Sequence, residues 1–96
     1  MGELCTLRGL GPKSEKSLNE IGIYTRADLA RMGPVRAFIM VRQVASTPPS
    51  LNFLYAMAGA LEDRSWTEIA RTERGRLLLE LEALLEDEAS HKTSEA

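Results

Sequence analysis

The chain has 96 residues, 44% of them hydrophobic and 27% charged, with a formal net charge of −2, one cysteine and one histidine. That is enough for one domain with a modest core, and it excludes a disordered chain, a disulfide framework and a generally basic nucleic-acid coat. Charge is divided unevenly: residues 1–44 hold seven Lys/Arg against four acids, and residues 45–96 five against ten, so an anion-binding surface belongs to the first half.

In chain order, Glu3 to Leu10 is expected as a short helix with Leu4, Leu7 and Leu10 inward, ended by Gly9 and Gly11. Pro12 suits the first turn of a second helix, with Leu18 and Ile21 inward and Gly22 as its stop. Thr25 followed by Asp28 makes a shortened capping box for a third helix to about Met32. Gly33-Pro34 stops and restarts the chain, and Val35, Phe38 and Ile39 form the stripe of a fourth helix ending near Val44.

Ser46 to Ser50 contains two prolines and reads as a loop, with Ser50 as the next N-cap. From Leu51 to Leu61 only Asn52 is clearly polar, so this helix belongs at the centre of the core, with Gly59 and Ala60 letting another backbone come close. Ser65-Trp66-Thr67-Glu68 predicts a capping box, a single turn and a core position for Trp66. Between Thr72 and Glu88, Leu77, Leu78, Leu81, Leu84 and Leu85 share one face of a long last helix. The domain is expected to span 1–89, followed by a mobile polar tail over 90–96.

The fold class that follows is all-α: a compact bundle of five to six helices beginning with a helix-hairpin-helix, of SAM-like topology. The hairpin is Leu7-Arg8-Gly9-Leu10-Gly11-Pro12-Lys13-Ser14, followed by Leu18. Its glycines let a backbone approach an anion, and the second helix opens with free N–H groups at the positive end of its dipole. Arg8, Gly9, Gly11, Lys13, Ser14 and Lys16 are therefore the candidate nucleic-acid contacts, reading phosphate rather than base. Pro12 removes one donor, leaving those of Gly11, Lys13 and Ser14. The same turn would equally serve to reverse the chain between two packed helices, with the lysines as solvated charges.

Catalysis has little to draw on. His91 lies in the expected tail and Cys5 has no histidine near it in sequence, so no catalytic residue, metal site or cofactor is expected. Glu86, Asp87 and Glu88 read as a solvated helix end. Tyr55 and Trp66 are placed in the core, and Tyr24, beside the Gly22 turn, at the surface. No run is long and apolar enough to span a membrane and no export signal stands at the start, so the chain is expected to be cytoplasmic.

Leu10-Gly11-Pro12-Lys13-Ser14-Glu15, Leu18, Gly22-Ile23, Thr25, Asp28-Leu29, Gly33, Leu51 to Ala56 and Trp66 together resemble the C-terminal domain of the bacterial TfoX (Sxy) competence regulators. The resemblance runs from about Leu4 to Leu85. It implies a helical, helix-hairpin-helix-like fold and a part in activating DNA-uptake genes with a cyclic-AMP receptor protein. The N-terminal domain usually joined to this one is expected to be absent, leaving a stand-alone module. Glu15 suits the TfoX-like pattern, whereas many DNA-repair hairpins place a small apolar residue there. Gly22-Ile23-x-Thr25-x-x-Asp28-Leu29 is also similar to the C-terminal domain of the RNA polymerase alpha subunit, an analogy of fold alone.

Two functions remain in view. One is a regulatory module that touches double-stranded DNA without sequence preference, or a regulator of the cyclic-AMP receptor type, or RNA polymerase. The other is a protein adaptor or homodimer working through Leu77, Leu81 and Leu84.

Overall fold

Every helix of the chain sends at least one fully buried side chain to a common centre: Leu18, Leu29, Val35, Leu54, Met57, Ile69 and Leu77, joined by Leu4 from the N-terminal segment. A computed structural model describes the backbone of residues 2–95 and the side chains of residues 2–87. After a single 3-10 turn at Leu4–Thr6 come α1 (Pro12–Asn19), α2 (Arg26–Met32), α3 (Pro34–Val44), α4 (Leu51–Glu62), α5 (Trp66–Thr72) and α6 (Arg74–Glu95). No strand occurs among the described residues. The fold is the all-α bundle that the periodicity predicts.

The N-terminal segment differs from its expectation. A helix over Glu3 to Leu10 is replaced by the one 3-10 turn, because Leu7 is extended (φ −76°, ψ 148°) and Gly9 takes φ +83°. Eight residues containing Cys5, Thr6 and Gly9 gain too little from local hydrogen bonds to offset helix nucleation, so tertiary contacts decide their path. Leu4 and Leu10 still reach the core and Leu7 is half-buried.

Helix α1 stops at Asn19, and the chain reverses through Gly22 at φ +87° while the Ile23 N–H donates back to the Leu18 carbonyl at 3.0 Å. The reversal puts Ile23 in the core and leaves Ile21 half-buried at its edge. In α2 the capping box forms as predicted: Thr25 Oγ1 accepts from Asp28 N–H at 3.0 Å, and Asp28 Oδ2 accepts from Thr25 N–H at 3.3 Å. Gly33 at φ +89° and Pro34 then turn the chain into α3, whose Val35, Phe38 and Ile39 are buried.

Helix α4 is the central element, with every residue from Leu54 to Ala60 buried. Burying a side chain of leucine size is worth about 1.5–3 kcal/mol, so this run anchors the bundle. The backbone that closes on Gly59 is the chain's own: Asp63 turns left-handed (φ 55°), Arg64 N–H donates to the Gly59 carbonyl at 2.9 Å, and the Arg64 carbonyl sits where a Gly59 side chain would begin.

Trp66 corrects the sequence reading. Ser65 Oγ accepts from Glu68 N–H at 3.2 Å, but α5 continues for two turns and its buried residue is Ile69, while Trp66, first in the helix, is 41% exposed. The cap alone locates the helix start. Which of two apolar residues three apart points inward depends on how α5 lies against α4, and that is a tertiary matter.

Along α6, Leu77 and Leu81 are buried, Leu78 and Leu84 half-buried, and Leu79 and Leu85 exposed. The backbone is helical to Glu95. The mobile tail expected over 90–96, with His91, falls where side chains lie outside the described residues.

Candidate nucleic-acid interface

The chain enters α1 through exposed Gly9, buried Leu10 and half-buried Gly11, with Leu10 pinned in the core between the two glycines. Gly9 passes close over α4: a side chain there would meet Ala56 at 3.8 Å, and φ +83° would strain it in any case. Gly11 is extended, has nothing within 4 Å of where a side chain would begin, and enters α1 without a side-chain cap.

Pro12 occupies the first helical position, and among the described residues no hydrogen bond is made by the N–H groups of Gly11, Lys13 or Ser14. Lys13 and Lys16, three residues apart and therefore neighbours on α1, are exposed, and Ser14 is half-buried. Lys13, Ser14 and Ser17 form one wall of an open groove of about 310 Å³, whose other wall is Val41, Ala45, Phe53 and the Thr47 to Ser50 loop.

Glu15 lies between these lysines in sequence but turns away from them. Its carboxylate is buried and accepts from the Gly2 N–H at 3.2 Å and the Cys5 N–H at 3.3 Å, tying the 3-10 turn to α1. The carboxylate nearest the basic turn is thus held against the N-terminal segment, while Lys13 and Lys16 stay exposed. Sequence reasoning singled out Glu15 as a mark of the family pattern without finding its partner.

Arg8 has a different setting from the other candidates. Its guanidinium donates to the Asp63 carbonyl at 3.2 Å, and Arg26 donates to the Leu61 carbonyl, so two arginines close the negative end of α4. The structure therefore brings Gly11, Lys13, Ser14 and Lys16 together on the start of α1, and Arg8 onto the end of α4. Leu77 and Leu81, two of the three candidate interface leucines, are committed to this chain's own core, and only Leu84 keeps part of its surface.

Other charged groups hold the fold. Asp28 is lowered below the usual carboxylate range, first by the Tyr24 N–H and further by Thr25 and by Arg31 at 3.5 Å. Arg64 reaches Glu62 at 3.1 Å, Glu68 at 3.0 Å and Glu73 at 3.4 Å, and hydrogen bonding to these acids, Glu62 first, raises its pKa. Glu73 is lowered by its bond to Arg76 at 2.9 Å and then by Arg64. Tyr55 is buried and Tyr24 is 58% exposed, as their sequence settings predict. Among the described residues no group of three or more His, Cys, Asp or Glu is placed to hold a metal ion, and no helix is long and apolar enough to cross a membrane.

No curated protein and no solved structure matches the chain. The family model of the TfoX C-terminal domain matches residues 1–81, which takes in the 3-10 turn, α1 to α5 and the start of α6. On the strength of that match over most of its length, the chain belongs to the TfoX C-terminal domain family, a family of regulatory rather than catalytic domains.

Proposed function

We propose that the chain is a non-enzymatic binding module that touches the phosphate backbone of double-stranded DNA through the first turn of α1, and so assists transcriptional regulation of competence or related genes. The observation that carries this reading is the uncapped start of α1: three backbone donors without partners among the described residues, flanked by exposed Lys13 and Lys16. A helix start of this kind favours negative charge through both its N–H groups and its dipole. Because one turn and two lysines meet few phosphates, the contact is weak, indifferent to sequence and steeply dependent on salt.

Membership of a regulatory family supports the transcriptional role, and a transcription regulator of the cyclic-AMP receptor type, or RNA polymerase, is the protein partner that this membership favours. Such a role places the chain in the cytoplasm. The test is a fluorescence titration with a short labelled duplex. Binding should appear at low salt, weaken with added salt, and weaken again with Lys13→Glu, while Arg8→Ala should matter less because Arg8 faces the end of α4. Absence of binding at low salt ends the proposal.

A further inference from the structure

Helix α6 has a second apolar face beside the one it gives to the core. Leu77 and Leu81 point inward, and Leu84, packed against the core, lines a pocket together with Ile39 and Met40 of α3. About 100° round the helix from Leu77, Leu78 and Leu85 join Leu81 to floor an open groove of about 340 Å³, rimmed by Glu82 and Glu86. The residues lining this groove belong to α6, and among the described residues no other element covers it. Leu85 is 37% exposed.

The floor has the spacing of a helix-docking seam. Leu78, Leu81 and Leu85 follow one another by three and then four residues, the pattern whose holes accept side chains of a second helix. Gly75, one turn before Leu78, has nothing within 4 Å of where a side chain would begin, which leaves that end of the seam open. Glu82 and Glu86 are one turn apart along the rim, and neither has a cationic partner among the described residues. Charges flanking such a seam select the sign of the partner's flanks.

We propose that this groove docks a basic amphipathic helix of another protein, with apolar side chains packed on Leu78 and Leu85 over the largely buried Leu81, and Lys or Arg side chains against Glu82 and Glu86. A second copy of this chain is a poorer occupant. A twofold contact repeats one surface on both sides, so it would bring the acidic rims into a single interface. DNA is repelled by the same rim.

The test uses the intact chain and two synthetic helix-forming peptides with leucines at i, i+3, i+4 and i+7, one flanked by lysines and one by glutamates. Amide shifts in an NMR titration should appear with the lysine peptide alone and centre on residues 78–86. Glu82→Lys with Glu86→Lys should weaken that binding by roughly tenfold and admit the glutamate peptide. Leu85→Asp, at an exposed position, should abolish binding while leaving the circular dichroism unchanged. Equal binding of both peptides, shifts centred elsewhere, or indifference to the rim substitutions would overturn the proposal. So would light scattering that finds a dimer dissociated by Leu85→Asp, because a second copy would then fill the groove.

Discussion

The carbonyl of Arg64 occupies the space into which a side chain on Gly59 would grow. This contact closes the C-terminal end of α4 by folding the chain back over it, and it explains why the most buried helix keeps a residue of poor helix propensity. Gly59→Ala should therefore destabilise the protein even though alanine favours the helix by about 1 kcal/mol. A net loss of about 1–3 kcal/mol is expected, typical of overpacking. Urea unfolding measures it, and an unchanged or raised midpoint would show that the turn yields at no cost.

Glu15 offers a second test, because it supplies what the short 3-10 turn lacks. Replacing it with alanine removes the carboxylate to which the Gly2 and Cys5 N–H groups donate, and because these donors lie at or near the surface the cost should be that of lost hydrogen bonds, about 0.5–1.5 kcal/mol each. Glu15→Gln keeps one acceptor oxygen and should lose less. Hydrogen exchange at the Cys5 amide separates a local effect from a global one: it should quicken in both variants, and more in Glu15→Ala.

Acid should weaken the fold through Asp28 and Glu73. Both carboxylates titrate lower in the folded chain than in the unfolded one, so their contribution is fully present above the unfolded value and is lost as pH falls through the folded value. The melting temperature should stay level from neutral pH down to about 5 and then fall through the carboxylate range. Asp28→Asn should lower the plateau and flatten part of that decline. A decline of the same depth in the variant would place the acid sensitivity elsewhere.

Trp66 is the chain's one tryptophan, so its fluorescence reports directly on the position the structure gives it. Emission should be that of a partly solvated indole and iodide should quench it readily. Trp66→Phe should cost far less stability than Leu54→Ala, which opens a cavity in the core at about 2–5 kcal/mol. A blue-shifted emission inaccessible to iodide would return Trp66 to the interior.

Local signals determined most of the helices. Thr25 with Asp28, Ser65 before Glu68, Pro12 and Pro34 at first helical positions, and Gly22 and Gly33 between helices act through hydrogen bonds and steric limits within a few residues, so they read the same in a string as in the fold. The basic start of α1 was legible for the same reason. Ser50 marks the limit of such signals: it stands at the N-cap of α4 yet its side chain makes no capping bond.

What the tertiary structure decided was direction and partnership. Trp66 and Ile69 are both apolar and a turn apart, and only the placement of α5 against α4 turns Ile69 inward. Glu15 is an ordinary helix acid until Gly2 and Cys5 come to it, and Arg8 an ordinary hairpin cation until the end of α4 comes within reach. The leucines of α6 share one broad stripe in sequence, but the body of the bundle covers only part of it, taking Leu77 and Leu81 and leaving Leu78 and Leu85 to floor the groove. Burial of this kind depends on which surfaces other elements reach, and periodicity along one helix carries no record of them.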